Sequence, residues 1–488
     1  MAENGADLQP ESLWRHFFAL CRIPRCSGNE AAVRAYVLGV AARHGLASRT
    51  DRTGNAVVVK AASPGREASP LVTLQSHLDM VCEKNRDTVH DFARDPVRWV
   101  LTGGWVKAEG TTLGADNGIG VAAALALMES RDVRHGPLEF LFTVDEESGL
   151  TGAFGLGDGM LEGRVLINLD SEEEGTITVG CAGGLYTDLH LDFGTDPAPP
   201  GHTLVRLRLG GCFGGHSGLD IHLGRANPIR LLARFLLEAA GSLDLRVACL
   251  DGGNKPNAIP RECDALVCLP EASRAALDKT AGERHRLLQE EYRTTDPGIG
   301  LKVDPAAAPA PFRVLRRQDQ TRLLELLRDL PHGVLATSPD VAGMVETSTN
   351  LAIVRSEAGK TTIRTKQRSS SREALGQATA GIGEHGENAG AEVVRGGQYP
   401  PWPPVPASPL LGHAKGVYRS LFGKEPRAQT VHAGLECGII GDRFPGMDMI
   451  SFGPTIQAPH SPEERVETRS VERFWDFLAA VLERLGAA

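Results

Sequence analysis

The sequence predicts an α/β fold built on a largely parallel sheet. Three observations carry this prediction: apolar, β-branched runs alternate with helix-like segments, a glycine-rich turn leads into a small-residue helix, and three strand-like runs end on charged side chains. The first of these runs, residues 71–79, passes from Leu71 to His77 and Asp79. Because side chains two apart on a strand point the same way, these two residues are predicted to converge at the strand's carboxyl end, where open α/β sheets place their chemistry.

The elements before Gly184 are predicted from apolar periodicity and from breaking residues. Helices are predicted over residues 11–21, 29–44 and 121–128. Strands are predicted over residues 55–60, 70–76, 138–144 and 164–170, with a polar loop over 82–95. The alanines of the third helix allow close packing on a sheet. Strands that alternate with helices in this way indicate crossover connections and parallel pairing.

The pattern changes after Gly184, where two clusters of glycine and proline, residues 194–201 and 396–404, interrupt the chain. Strands are predicted between them over residues 202–209, 245–250, 350–354 and 361–366, with helices over 227–240, 271–292 and 318–330. The last part is predicted to contain helices near 410–421 and 466–485 and a strand over 447–452.

Composition limits the classes of function. A chain of 488 residues allows roughly two to four domains. A net charge of −9 with dispersed acids offers no basic surface for nucleic acid. No apolar run is long enough to span a bilayer, and the polar N-terminus lacks the features of a secretory signal. Nine cysteines, an odd number in a long chain, do not suggest a disulfide framework, and the lack of a C-x-x-C pair argues against a structural zinc cluster. They predict mostly reduced thiols in a cytoplasmic protein.

Charged residues at the predicted strand ends form a candidate metal site. Histidine and carboxylate ligands suit zinc, with manganese or cobalt as alternatives. A pair of metals needs a shared ligand, and a carboxylate can bridge with its two oxygens. Catalysis also needs one adjacent acid that does not bind the metals and can act as general base. The pair Glu146-Glu147 offers one residue as metal ligand and one as base. The full set is His77, Asp79, Asp116, Glu146, Glu147, Asp170 and His460.

Each of these residues also has an ordinary structural interpretation. Asp116 begins an Asp-Asn-Gly turn and would cap the following helix. Glu146 and Glu147 would be a solvated loop pair, Asp170 part of an acidic surface turn, and His460 a loop histidine. The structural interpretation needs a separate reason for the charged residues at each strand end, whereas a shared metal site explains all of them at once.

Eight short motifs in this chain resemble the aminoacyl-histidine dipeptidases, also called Xaa-His or β-alanyl-histidine dipeptidases, of the di-zinc metallopeptidases. Each motif is weak alone, but the ordered set covers nearly the whole chain. The motifs are IPRCSGNE (23–30), HLDMVCEK (77–84), LGADNGIG (113–120), DEESG (145–149), NLDSEE (168–173), GGHSG (214–218), NAIP (257–260) and HAGLECG (432–438).

The resemblance implies a role for each residue of the candidate metal site. One zinc would be held by His77 and Asp170 and the other by Glu147 and His460, with Asp116 bridging both. Asp79 matches the acid that orients His77, and Glu146 matches the general base. The resemblance also implies a cis peptide bond between Asp116 and Asn117.

The resemblance further implies a di-zinc catalytic domain with a mixed, largely parallel sheet, interrupted by an inserted α+β lid that mediates homodimerisation. The catalytic domain would comprise residues 1–184 and 397–488, and the lid residues 185–396. His216 matches an oxyanion-stabilising histidine, and Asn257 and Arg368 match groups that bind the substrate carboxylate. The resemblance favours a His216 that completes the site of the partner subunit. His432 and Glu436 are expected near the substrate without an assigned role.

Three functional hypotheses follow from the sequence. The first is a dipeptidase for Xaa-His or a broad set of dipeptides, and the longer lid and the 432–438 motif favour it. The second is a carboxypeptidase or N-acyl amino acid deacylase of the same di-zinc group. The third is a non-catalytic binding protein on a former enzyme scaffold, and an intact Glu146 with all five ligand positions filled speaks against it.

Overall fold

The computed structural model describes residues 7–307, 312–338 and 343–485. Its contacts divide the chain into two compact units. The first unit comprises Met1–Cys181, Trp402–Thr430 and Leu435–Ala488, and the inserted unit comprises Ala182–Pro401 and Val431–Gly434. The domain boundaries given by the resemblance stay predictions.

The first unit begins with helices and strands in alternation. The helices are α1 (Glu11–Leu20), α2 (Ala31–Arg43), α3 (Ala115–Glu129), α4 (Glu146–Gly149) and α5 (Thr151–Gly155). The strands are β1 (Ala47–Thr50), β2 (Ala56–Lys60), β3 (Val72–His77), β4 (Trp99–Thr102), β5 (Trp105–Ala108), β6 (Leu138–Thr143), β7 (Val165–Asn168) and β8 (Thr176–Cys181).

The inserted unit follows. Its strands are β9 (Gly183–Asp192), β10 (Thr195–Pro197), β11 (His202–Gly210), β12 (Gly215–His216), β13 (Arg246–Gly252), β14 (Ala258–Ile259), β15 (Cys263–Pro270), β16 (Gly300–Pro305), β17 (Arg313–Leu315), β18 (Gly333–Thr337), β19 (Val345–Glu357), β20 (Lys360–Ser369) and β21 (Glu392–Tyr399). Its helices are α6 (Pro228–Leu243), α7 (Arg274–Glu291), α8 (Arg317–Asp329) and α9 (Arg372–Asn388).

The chain then returns to the first unit. The remaining elements are α10 (Pro409–Phe422), β22 (Arg427–Val431), α11 (Glu436–Arg443), β23 (Asp448–Ser451), β24 (Ile456–Gln457), β25 (Arg465–Glu467) and α12 (Thr468–Arg484).

The main sheet of the first unit has the strand order β1-β2-β6-β3-β7-β23-β8-β22. Its centre is parallel, because β3 pairs in parallel with β6 and β7, and β7 pairs in parallel with β23. The pairs β1–β2, β2–β6 and β23–β8 are antiparallel. The prediction of a mixed α/β sheet is confirmed, with parallel pairing at its centre, and the carboxyl ends of the parallel neighbours β6, β3 and β7 lie at one edge.

Helix α3 packs on this sheet with almost no exposed surface. All of its residues from Asn117 to Met128 are buried, and the helix contacts β3 and α1. A helix that is apolar on every side belongs inside a protein, and its alanines permit close approach to the strands. The core beside it contains Leu74, Phe140 and Phe142, each with at most 1% of its surface exposed. This packing fixes the strand ends that carry the candidate site.

The inserted unit is built on an antiparallel sheet with its own core. The strand order is β16-β11-β15-β13-β19-β20-β9-β21, with β18 also paired to β19. The buried cluster includes Leu207, Phe235, Leu327 and Leu351. Helix α6 begins with Pro228 at its first position, and the Asn227 side chain accepts hydrogen bonds from the backbone of the first turn. The α+β character expected for the lid is therefore present in this unit.

Two local details differ from the sequence predictions. The helix predicted over residues 466–485 begins only at Thr468, because Val466 instead pairs with Val106 in a small antiparallel sheet. Cys26 and Cys82 form a disulfide, although the other seven cysteines are not disulfide-bonded, as expected for mostly reduced thiols. The two cysteines lie 56 residues apart in sequence, so their spacing gave no signal. None of the described helices is long and apolar enough to cross a membrane.

Candidate metal centre

The candidate site lies at the carboxyl edge of the main sheet. His77 is the last residue of β3, Glu146 follows β6 after a short turn, and Asp170 comes two residues after the end of β7. Because these strands are parallel neighbours, their ends bring the three side chains to one place. The convergence predicted from the sequence is therefore present in the structure.

Two groups of donor atoms meet here and share Asp116. In the first, His77 Nε2 lies 3.2 Å from Asp116 Oδ1 and 3.3 Å from Asp170 Oδ1. In the second, His460 Nε2 lies 3.2 Å from Asp116 Oδ2 and 3.1 Å from Glu147 Oε2. Within each group the ligand atoms all lie within 4.8 Å of one another. Each oxygen of Asp116 thus faces one imidazole, as a bridging carboxylate requires.

The chemistry of this donor set suits divalent cations. Three carboxylates so close together repel one another unless positive charge lies between them. Glu147 Oε1 is buried and has no hydrogen-bond partner among the described residues, so a ligand role would satisfy it. Imidazole and carboxylate are the ligands that zinc accepts in catalytic sites.

The charges in the site shift the pKa values of its members strongly. Hydrogen bonding to the carboxylates of Asp116 and Glu147, which accept from the imidazole, raises the pKa of His460 to about 11. Burial alone would lower the pKa of His77, but Asp170 and Asp116 outweigh it and raise that pKa well above its usual value. Burial raises the pKa of Asp170 to about 6, and the charge of Asp116 adds to the rise. The acids therefore favour positive charge beside both imidazoles, and a bound metal ion would supply that charge.

Asp79 connects the first histidine to the turn after β6. Its Oδ1 lies 3.4 Å from His77 Nδ1 and accepts a hydrogen bond of 3.1 Å from the backbone of Glu146. Its Oδ2 accepts from the backbone of Glu147 at 3.1 Å and from Ser27 Oγ at 2.7 Å. Burial would raise the pKa of Asp79, but His77 and Ser27 bring it well below its usual range. A single ionised side chain thus positions both His77 and the Glu146-Glu147 pair.

Glu146 lies beside the donor groups at the first position of α4. One of its oxygens, an oxygen of Glu147 and a nitrogen of His77 lie within 4.8 Å of one another. Burial raises the pKa of Glu146 well above its usual value, and neighbouring acids, including Asp170 and Glu147, add to the rise. Such a carboxyl group holds a proton more readily than an exposed glutamate does, which suits a group that accepts and returns one.

Glu464, which the sequence did not single out, supports the backbone at Asp116. Its buried carboxylate accepts hydrogen bonds from four consecutive backbone N–H groups, at residues 113–116, over 2.7–3.2 Å. Asn117 donates to Asp170, and the Asp116–Asn117 peptide bond is cis, as the resemblance implied. The only sequence signal for Glu464 is its position four residues after His460, and its partners lie about 350 residues away.

The residues predicted to bind substrate meet within the inserted unit. Arg368 is 4% exposed, and its Nη2 lies 3.3 Å from His216 Nε2. The carbonyl oxygen of Asn257 accepts from the backbone of Ser217 at 2.8 Å, next to His216. Tyr399, which the sequence did not single out, accepts a hydrogen bond of 2.6 Å from Arg368 Nη1.

The tautomer of His216 follows from its neighbours. The backbone N–H of Leu219 donates to His216 Nδ1 at 3.0 Å, so a neutral imidazole carries its proton on Nε2. That N–H then faces the guanidinium of Arg368. Arg368 Nη2 lies 3.3 Å from this nitrogen, so an anionic oxygen bound next to both would accept a hydrogen bond from each.

His432 also lies in the inserted unit, where its Nε2 is 2.7 Å from Ser348 Oγ. Burial lowers the pKa of His432 to about 3, and Arg368 adds to this effect, so the imidazole is neutral at physiological pH. Glu436 instead belongs to the first unit and is buried there.

Comparisons with known proteins find relatives that cover the whole chain. The chain is 40% identical over 484 residues to the cytosol non-specific dipeptidase of Escherichia coli, covering 99% of both chains. Its structure matches that of the aminoacylhistidine dipeptidase of Vibrio alginolyticus with a TM-score of 0.88 and 41% identity, covering 99% of this chain and 98% of the other. A tripeptidase of Staphylococcus aureus shares the fold, with a TM-score of 0.58 and 16% identity, covering 99% of this chain and all of the other.

The resemblance inferred from the eight motifs is thereby confirmed. The model of peptidase family M20/M25/M40 matches residues 73–484, a span that begins in β3 and ends with α12. This chain belongs to that peptidase family.

Proposed function

We infer that this protein is a metal-dependent dipeptidase. The observation that carries the inference is the pair of donor groups that share Asp116, with Glu146 beside them. Two full-length relatives near 40% identity are named as dipeptidases, which supports the same reaction for this chain. The substrates proposed are Xaa-His dipeptides, including β-alanyl-histidine, or a broader set of dipeptides.

The donor groups suggest which residues hold which metal. We propose that His77 and Asp170 hold one ion, that Glu147 and His460 hold the other, and that Asp116 bridges them. Zn²⁺ suits this mixture of nitrogen and oxygen ligands, and Co²⁺ and Mn²⁺ are the alternatives. When bound, such ions bring the pKa of a water molecule toward neutrality and polarise the peptide carbonyl group.

The protein's own groups then carry the proton and hold the substrate. Glu146 accepts a proton from the attacking water and returns it to the nitrogen of the departing amine. Asp79 keeps His77 and Glu146 in place through its contacts to both. His216 donates through Nε2 to the oxygen that becomes negatively charged, while Arg368 and Asn257 bind the carboxylate at the end of the dipeptide.

A substrate panel tests this proposal. The metal-loaded enzyme is assayed with β-alanyl-histidine, other dipeptides, a tripeptide and an N-acetyl amino acid. We expect kcat/KM to be highest for dipeptides, because Arg368 binds a carboxylate one residue beyond the cleaved bond. A preference for the N-acetyl amino acid would support the deacylase alternative, and a preference for the tripeptide would contradict a dipeptidase.

Replacement of Arg368 by methionine should raise KM for dipeptides about 10-fold or more, since hydrogen bonds to a charged group contribute about 1.5–3 kcal/mol. Bound metal should not change, because Arg368 lies outside the donor groups. A matched control is Arg364→Met on the same strand, where Arg364 pairs with Asp188 at 2.6 Å. We expect that variant to lose stability but to keep its KM, so equal KM values in both variants would contradict the role of Arg368.

We further propose a cytoplasmic homodimer that forms through the inserted unit, as the resemblance implies. Cytoplasmic location is supported by the E. coli relative, which is named as a cytosol enzyme, and by the seven cysteines that remain thiols. Because His216 and Arg368 contact each other within one chain, both should serve the same substrate molecule.

Subunit mixing tests this arrangement. If the inserted unit serves the partner subunit, mixing His216→Ala with Glu146→Gln should restore up to about half of the normal activity in a two-fold dimer. Mixing His216→Ala with Arg368→Met should give no more activity than the two variants give separately, since no chain then offers both groups. Recovery in the second mixture would show that the two side chains act at different sites. If the mixture of His216→Ala with Glu146→Gln stays inactive although subunit exchange is verified, His216 serves the site of its own chain.

A further inference from the structure

A buried acid that the mechanism does not use lies beneath the candidate metal centre. Glu436 is the first residue of α11 and is only 1% exposed. Its Oε2 accepts hydrogen bonds from Gln75 Nε2 at 2.6 Å and from Thr143 Oγ1 at 2.7 Å. Its Oε1 is buried without a hydrogen-bond partner among the described residues. Burial of an incompletely satisfied carboxyl group lowers stability, so its presence calls for a reason.

The partners of Glu436 lead to a residue of the metal centre. Gln75 lies in β3 and its side-chain oxygen accepts a hydrogen bond from Asn168 Nδ2. The side-chain oxygen of Asn168, the last residue of β7, accepts from the backbone N–H of Asp170 at 3.1 Å and also from Ser451. A continuous series of hydrogen bonds therefore runs from Glu436 through Gln75 and Asn168 to Asp170.

Every bond in this series has a fixed direction. An amide side chain has a donor end and an acceptor end, so it can be placed in two ways that differ only by rotation. Glu436 Oε2 accepts a hydrogen bond from Gln75 Nε2, so the nitrogen end of the Gln75 amide must face Glu436. The oxygen end of Gln75 accepts from Asn168 Nδ2, so the nitrogen end of Asn168 faces Gln75. The oxygen of Asn168 therefore faces the backbone N–H of Asp170. The backbone N–H of Asp170 holds this order at one end and Glu436 holds it at the other, so removal of the acceptor at Glu436 would leave the far end without a partner.

We propose that Glu436 is a positioning residue that holds Asp170 in place for its metal ion through Gln75 and Asn168. The proposal rests on the ligand role of Asp170 given under the proposed function. Burial raises the pKa of Glu436 to about 7 and Asp170 adds to this effect, so the two acids also interact electrostatically. Outer groups that orient metal ligands commonly change metal affinity or activity by about 10- to 100-fold when they are removed.

The test compares Glu436→Met with Glu436→Gln by competition with a Zn²⁺ chelator, which gives a dissociation constant for each of the two ions. Methionine fills the space without an acceptor, so one ion should bind about 10-fold more weakly or worse and the other should be unchanged. Glutamine keeps an acceptor oxygen for Gln75 and Thr143, and it should restore most of the lost affinity.

A matched control separates positioning from simple stabilisation. Glu139 is equally buried, at 1% exposure, in β6, where it pairs with Arg49 and accepts from the backbone of Gly163. Glu139→Met should lower the thermal midpoint and leave both dissociation constants unchanged. If Glu436→Met behaves in the same way, or weakens both ions equally, Glu436 has only a structural role and the proposal is wrong.

A double-mutant cycle with Asn168→Ala tests the route. If Glu436 acts through Asn168, Glu436→Met should weaken the ion in the normal chain but add little in the Asn168→Ala background. Additive losses would show that Glu436 acts by another route. The Asp170→Asn variant distinguishes the ligand role of Asp170 from the positioning role of Glu436. If Asp170→Asn keeps both ions, the ligand assignment of Asp170 is wrong. If Asp170→Asn loses one ion while Glu436→Met loses none, only the positioning role of Glu436 is wrong.

Discussion

Glu146→Gln is expected to lower kcat by at least about 100-fold, the usual contribution of a positioned general base. Glutamine is nearly the same size but does not accept the proton from the attacking water. Both metal ions should stay bound, because the proposed ligands do not include Glu146. The measurement combines steady-state hydrolysis of a dipeptide with elemental analysis of the same preparation.

The neighbouring residue provides the control. Glu147→Gln changes the adjacent side chain in the same way, but Glu147 contacts His460 and belongs to the second donor group. We expect that variant to lose metal as well as activity. Near-normal turnover in Glu146→Gln, or loss of metal from it, would contradict the separation of base and ligand between the two glutamates.

Asp116→Ala is expected to reduce the occupancy of both metal positions and to abolish activity. The reason is geometric, since each carboxylate oxygen of Asp116 lies 3.2 Å from a different imidazole. His460→Ala removes a donor from only one group, so it should weaken one ion much more than the other. Elemental analysis after gel filtration, with dissociation constants from chelator competition, measures both effects.

Two tightly bound ions in Asp116→Ala would show that this residue does not bridge. Equal loss of both ions in His460→Ala would show that the two donor groups do not act as separate positions.

The centre of the fold could be predicted because its signals are local. His77, Glu146 and Asp170 each follow an apolar strand, and parallel strands bring such ends to one edge without further information. The small-residue helix after Asp116 was also predictable, since its alanines suit close packing on a sheet. These features depend on the nearest residues in sequence.

Other parts of the site depend on contacts between distant segments, which one sequence does not reveal. Glu464 reaches the backbone of residues 113–116 from the far end of the chain. The approach of Arg368 to His216 requires β20 to lie beside β12, and neither strand carries a sequence signal for that neighbour. The Cys26–Cys82 disulfide depends on the pairing of Cys26 with Met80, which spacing alone did not indicate.

We expect that a pair of metal ions bound at Asp116 makes this chain active as a dipeptidase. The most direct test strips the protein with a chelator, adds Zn²⁺ in steps, and follows bound metal and β-alanyl-histidine hydrolysis together. We predict no activity in the stripped protein and a rise that ends when two ions per chain are bound. Full activity without metal, or a second ion that binds without affecting hydrolysis, would contradict it.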